Sequence, residues 1–331
     1  MLNQKNLSSL SKGDVVDHFL LIKKFEIRLT RQNKQYLNIE LGDKSETLNA
    51  NIFDDFDDIY NSFKNGEIVK VKGIIDEYQG TKQIRITYLD PVTPADDVSI
   101  NDFLPKSLKD PALMKEDFLK RIDSLSNNYL KKLMKAIFNG EKLEKFLTAP
   151  AGKSWHHGYI HGLIEHTLEI IKICDMMCDF HPELNRDLLI AGAMMHDFGK
   201  TEELKYDNSF EYTDKGKLIG HIVISAMIIN EETKRIKGFP EDLKNCLLHI
   251  VLSHQGKLEY ASPVVPKTLE AIALYQADEL SAKVNAYKNA LTTHTKADSK
   301  WTNFISLAST DLFKHGLTPE MEEQINKTFF D

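Results

Sequence analysis

Cysteine is scarce in this sequence: three in 331 residues, Cys174, Cys178 and Cys246. Cys174 and Cys178 have CxxxC spacing but share a helical apolar pattern with Ile170, Ile171 and Met177. No second pair completes a zinc site, so they read as reduced core thiols. Long apolar runs are also missing. None approaches the roughly 20 residues of a membrane helix, and residues 1–14 hold no apolar signal-peptide core. The expected location is the cytoplasm, with no membrane partner. A basic excess is the third absence. Lys and Arg number 42 against 49 Asp and Glu, a net charge of −7, which is not the balance of a duplex-DNA binder. A nucleic-acid enzyme is still compatible with it, because bound cations and local patches supply positive charge. The length suits two domains, each with its own core.

Residues 13–91 read as strands. Segments 15–16 and 19–22 are β-rich, 26–30 leads to a polar turn at Gln32-Asn33-Lys34, and 36–41 alternates apolar and polar. After a turn at Gly42-Asp43-Lys44 comes 48–53, then an acidic segment, 54–65, that suits a short helix. Gly66 opens 68–75, and a hairpin turn at Tyr78-Gln79-Gly80-Thr81 leads into 82–86. Five strands with a helical insertion between the third and fourth is the layout of an OB-fold barrel, expected over residues 1–92. Residues 66–86 resemble the fourth and fifth strands of nucleic-acid-binding OB domains. On such a face aromatics stack on bases and cations track phosphates. The candidates are Arg31, Lys34, Tyr36, Phe53, Tyr78, Lys82 and Arg85. The acidic run Asp54-Asp55 and Asp57-Asp58 argues against a strand lying on that side.

Residues 93–112, with Pro94, Pro105 and Pro111, read as a linker, and no strand pattern recurs beyond them. Apolar residues at helical spacing predict helices over 117–138, 143–147, 163–177, 183–195, 221–236, 241–252 and 267–291. The expected fold is therefore multidomain α and β: an OB barrel followed by an all-α domain over 113–331.

The all-α part is organised around Ala193-Met194-Met195-His196-Asp197-Phe198-Gly199-Lys200. The histidine and aspartate end an apolar run, and Gly199 is a stop signal. Neighbours on a helix point about 100° apart. They cannot share one apolar face, but both can reach an ion beside the helix end. Other residues of metal-ligand type sit near apolar helices: His166, His221, His254, and Asp278 in mid-helix, where a buried carboxylate needs a partner cation. Histidine and aspartate suit Mn²⁺, Fe²⁺ or Zn²⁺. His249 and His315 read as ordinary core or surface histidines.

The order His166, His196-Asp197, Asp278 resembles the H…HD…D signature of the HD superfamily of metal-dependent phosphohydrolases, and His221 and His254 match its two-metal members. With the OB domain ahead of it, the whole chain resembles the YhaM-type 3′→5′ exoribonucleases. Residues 150–166, with Lys153, His156-His157 and Gly162-Leu163, resemble that family too, as do residues 278–283. This chain has His254-Gln255 where two-metal members often carry two histidines. It has His161-Gly162 where the family tends to have two glycines.

The resemblance implies hydrolysis of phosphodiester bonds in single-stranded RNA, with DNA as an alternative substrate, releasing nucleoside monophosphates. It also implies two divalent ions sharing Asp197. His166, His196 and Asp278 would hold one, and His221 and His254 the other. Manganese is the first expectation; Mg, Fe, Co and Zn are alternatives. Lys200 is the expected phosphate contact, and His157 the expected substrate or leaving-group contact. Single-stranded RNA or DNA is the expected partner, and a homo-oligomer stays open. Two other readings differ in function. One is an HD phosphohydrolase of nucleotides or cyclic dinucleotides regulated by its OB domain; the other is a non-enzymatic single-strand-binding protein.

Overall fold

The computed structural model describes residues 4–78, 80–153, 156–206, 210–293, 299–306 and 308–315. Gln79 of the expected hairpin turn, Ser154 and Trp155 within 150–166, and residues 316–331 of the expected all-α domain lie outside them. The chain divides into two compact units, one ending at Pro105 and the other beginning at Lys106. Among the described residues no helix is long and apolar enough to cross a membrane.

The first unit is a closed five-stranded barrel, ordered β1-β2-β3-β5-β4. Its strands are β1 (Val15–Leu29), β2 (Gln35–Gly42), β3 (Thr47–Ile52), β4 (Ile68–Tyr78) and β5 (Thr81–Pro91). The separate segments expected over 15–16, 19–22 and 26–30 are one strand. A bulge between Ile22 and Lys24 lets β1 pair with β4 through its first half and β2 through its second, the bend such an extra residue produces. A parallel contact between Asn49 and Gln83 closes the barrel. Alternation puts Leu37, Ile39 and Leu41 of β2 inside with Leu48 and Ala50 of β3. The turn between those strands is built on Asp43, whose carboxylate accepts from the Leu7, Ser45 and Glu46 N–H groups. The helical insertion is α1 (Asp57–Ser62), with both acids in its first turn, where the helix dipole favours them.

The second unit carries α2 (Pro111–Asp123), α3 (Asn128–Ile137), α4 (Gly140–Thr148), α5 (Gly162–Phe180), α6 (Arg186–Met195) and α7 (Lys200–Glu203). A short ribbon, β6 (Leu204–Lys205) with β7 (Glu211–Tyr212), precedes α8 (Asp214–Ile219), α9 (His221–Arg235), α10 (Glu241–Ser253) and α11 (Leu269–Thr293). The expectation of a strand-free domain is corrected by that ribbon. The single helix expected over 117–138 is two helices. Asn127 accepts from the Tyr129 and Leu130 N–H groups and so starts a new helix. In the same way Asn185 caps the Leu188 N–H, so α6 begins at Arg186 rather than at residue 183.

Helix α5 packs against α2, α4, α6 and α11. Its stretch at residues 163–171 is almost wholly buried and mostly apolar, with Glu165, His166 and Thr167 the buried polar residues. The segment between α6 and α7 is fixed to this core by Phe198, whose ring lies 5.1 Å from Phe138 and 6.1 Å from Phe146. Gly199 has no room for a side chain: a Cβ there would fall 2.1 Å from the His221 carbonyl oxygen. Only glycine lets the start of α9 come this close to Asp197. His161 stands ahead of α5 at φ 67°, in the left-handed region that favours glycine. Its Nδ1–H donates to the Leu147 carbonyl at 2.6 Å, which offsets part of that strain.

Candidate metal centre

Five helices deliver one cluster. His166 comes from α5, His196 from the end of α6, His221 from the start of α9, His254 from the end of α10 and Asp278 from the middle of α11. Asp197 lies at their centre. Its Oδ2 is 3.3 Å from His196 Nε2 and 3.8 Å from His166 Nε2, which in turn is 3.1 Å from Asp278 Oδ1. Its Oδ1 is 3.3 Å from His221 Nε2 and 3.6 Å from His254 Nε2. One carboxylate thus divides the imidazoles into two sets.

The ring nitrogens facing away from Asp197 are each engaged. His196 Nδ1 meets the Ala193 carbonyl at 2.8 Å, and His254 Nδ1 the Val251 carbonyl at 2.7 Å. His221 Nδ1 lies 3.0 Å from Glu203 Oε1, which also accepts the His221 N–H. His166 Nδ1 lies 3.0 Å from the Ser281 hydroxyl, and that hydroxyl donates to Glu169. A carbonyl or carboxylate at Nδ1 holds the proton there, so Nε2 keeps its lone pair toward Asp197.

Several of these inward atoms are buried and make no hydrogen bond among the described residues: Nε2 of His166, His196 and His221, Oδ1 of Asp197, and Nδ1 of His156. Each such atom costs about 1–3 kcal/mol if left so. Ligands held about 2.1 Å from an ion stand roughly 3–3.5 Å apart, close to the spacings seen here. The donor atoms of His166, His196 and Asp197 lie within 4.8 Å of one another, and so do those of Asp197, His221 and His254. The residues therefore fit divalent cations of nitrogen and oxygen preference.

Charge agrees with this at His166 and His254, whereas at His196 burial is outweighed by the Asp197 carboxylate, which raises the pKa. Burial holds His166 well below the ordinary histidine value and brings His254 down to about 4, so both are neutral imidazoles near pH 7. Burial would raise the Asp197 carboxyl, but Lys200 and His196 overcome it and keep the group well below the carboxylate range.

Comparison with known proteins agrees with both halves. The HD domain family matches residues 163–283, and the OB-fold nucleic acid binding domain family matches residues 22–92. The 3'-5' exoribonuclease YhaM of Bacillus subtilis (strain 168) is 31% identical over 279 residues, 84% of this chain and 88% of that protein. The protein of the same name from Listeria welshimeri is 33% identical over 294 residues, 88% and 93% of the two chains. The chain belongs to the YhaM family.

Within that family frame, the expected site residues separate. His166, His196, Asp197, His221, His254 and Asp278 come together as described. Lys200 joins them, donating to Asp197 Oδ2 at 2.6 Å. His157 does not reach the cavity above Asp197. Its ring is buried, 5.0 Å from His166, with Nε2 3.3 Å from Glu169. The neighbouring His156 lines the cavity instead. The HH pair was visible in the sequence, but which ring faces the cavity depends on the loop, where His157 has φ 42°. Glu203, Ser281 and Glu169 were not singled out. Ser281, three residues after Asp278 on α11, is on the same helical face, and that spacing was a usable signal.

On the barrel, Tyr36 and Phe53 stack at 5.2 Å, and Phe53 is half exposed. Beside them Asn38 donates to Asn49 and Asn51, an amide row absent from the expected set. Arg31, Tyr78 and Arg85 are exposed. Lys34 is paired with Asp54 at 2.7 Å and Lys82 with Glu46 at 2.7 Å, so two of the expected phosphate contacts already hold carboxylates.

Proposed function

We propose that the protein is a metal-dependent 3′→5′ exoribonuclease of the cytoplasm. It hydrolyses single-stranded RNA to nucleoside monophosphates, with two divalent ions, manganese foremost, at the Asp197 cluster. The observation that carries this reading is the carboxylate of Asp197, each oxygen turned to its own imidazoles. A bound divalent ion supplies Lewis acidity and brings the pKa of water toward neutrality.

The chain's own residues do the rest. His166, His196 and Asp278 would hold one ion and His221 and His254 the other, with Asp197 within reach of both sets. Lys200 places an ammonium where charge grows on the phosphate oxygens. The Tyr36–Phe53 pair offers a stacking surface for unpaired bases, which favours single strands and makes RNA the first substrate to test.

The test is metal counting on purified protein, then 5′-end-labelled single-stranded RNA with each divalent metal restored. Stepwise shortening with mononucleotide release is expected, strongest with Mn²⁺ and absent in Asp197→Asn. RNA left intact while nucleotides or cyclic dinucleotides are hydrolysed would move the assignment to another HD phosphohydrolase.

A further inference from the structure

The cavity that exposes Asp197 and Lys200 measures about 190 Å³. Sites that enclose a drug-sized ligand begin at roughly 300 Å³. A phosphate and its sugar can enter this cavity, while an attached base is left at the mouth. Tyr260, Tyr275 and Lys283 line the cavity with Asp197 and Lys200, and they lie toward solvent.

The two tyrosines are held differently. Tyr275 projects from α11 and is backed by Gly256, where a Cβ would fall 2.2 Å from the ring's Cε2. Gly256 has φ 78°, so glycine meets two demands there, conformation and contact. Tyr260 ends a single 3-10 turn (Leu258–Tyr260) and is followed by Ala261 at φ 64°. Tyr260 is 50% exposed. The Lys257 ammonium lies 5.1 Å from the ring centroid, and Lys283 pairs with Glu279 on the same rim.

An exposed aromatic ring at the opening above a small cavity that reaches Asp197 and Lys200 is the arrangement that holds a stacked base. We propose that Tyr260, supported by the pinned Tyr275, is the nucleobase subsite for the nucleotide whose phosphate lies at Asp197. This rests on the metal centre being a phosphodiesterase site. The subsite recognises any base through its π-face, so it grips the terminal nucleotide without selecting sequence.

The experiment measures binding of hydrolysis products and is independent of turnover. Calorimetry on the Mn²⁺-loaded full chain compares adenosine 5′-monophosphate with ribose 5-phosphate. A stacked base is expected to make the first bind about 5- to 150-fold tighter, the range of one base–aromatic stack. Tyr260→Ala should bring that ratio close to one with the metal count unchanged. Tyr260→Phe should keep it. A ratio near one in the wild type, or a ratio that survives Tyr260→Ala, overturns the subsite. Failure of the nuclease reading shows separately, as intact RNA.

Discussion

Lys200 donates to Asp197 Oδ2 at 2.6 Å, the oxygen that His196 Nε2 approaches at 3.3 Å. The ammonium and an ion coordinated by His196 therefore compete for one carboxylate oxygen. Two positive charges a few ångströms apart repel by several kcal/mol even at an effective dielectric constant of about 20. Lys200→Met should tighten metal binding by about tenfold or more and still lower turnover, because the phosphate loses its cation. Metal affinity by equilibrium dialysis and rate on RNA should move in opposite directions. Parallel losses would show that Lys200 serves the fold rather than the phosphate.

The two sides of Asp197 should also separate by metal affinity. On the Oδ1 side His254 Nε2 has Gln255 Nε2 3.3 Å away, a neutral amide where an imidazole would bind a cation more strongly. His254→Ala should raise the metal concentration for half-maximal rate at least about tenfold, while one tightly held ion per chain survives dialysis. Gln255→His should lower it. An unchanged metal requirement in His254→Ala removes His254 from the ligand set.

His166 depends on a partner far away in sequence. The Ser281 hydroxyl accepts its Nδ1–H and donates its own O–H to Glu169 at 2.8 Å. Loss of such an orienting group typically weakens metal binding 10- to 100-fold. Ser281→Ala should do so on the His166 side alone, without loss of helical content in circular dichroism. Ser281→Thr, which keeps the hydroxyl, should restore most of the affinity.

Barrel residues should divide by what they already hold. Tyr36→Ala and Phe53→Ala break the stack of a half-buried ring on an exposed one and should weaken binding of long single-stranded RNA by about 1–3 kcal/mol each. Cleavage of a dinucleotide should barely change. Lys82→Ala should cost little binding, because Lys82 is tied to Glu46. Filter binding on a labelled RNA of some twenty nucleotides, with the dinucleotide rate beside it, checks both. A large Lys82 effect with none from Tyr36 would place the RNA elsewhere on the barrel.

His249 lies outside the metal centre and gives a pH signature. Its Nε2 accepts the Lys267 N–H at 2.9 Å, which requires the neutral ring. Partial burial and the Lys267 charge lower its pKa below the ordinary 6.5. Between the folded value and about 6.5 the unfolded chain binds more protons, so stability rises with pH across that window. The contribution is complete above about pH 6.5 and is lost as pH falls through the folded value. The gap between urea midpoints at pH 7.5 and 5.5 should therefore shrink in His249→Gln. An equal gap in both proteins would mean that the ring titrates alike in the two states.

Much of this protein is readable from its sequence. Alternating strands with a polar turn at residues 32–34 and an acidic helix before Gly66 describe the barrel, because strand period and turn chemistry are local. Histidines and aspartates on or at the ends of apolar helices mark the candidate ligand set, because such residues are expensive to bury without a purpose. Tertiary structure decided what depends on distant partners. It divided the Asp197 oxygens between two sets of imidazoles, and it joined His166 to Ser281 across 115 positions. It turned His156 rather than His157 toward the cavity, gave Lys82 to Glu46, and brought Gly256 against Tyr275 to shape the rim. Sequence patterns specify which face of an element is buried, but the orientation of a polar side chain is set by atoms that only the folded chain brings within hydrogen-bonding distance.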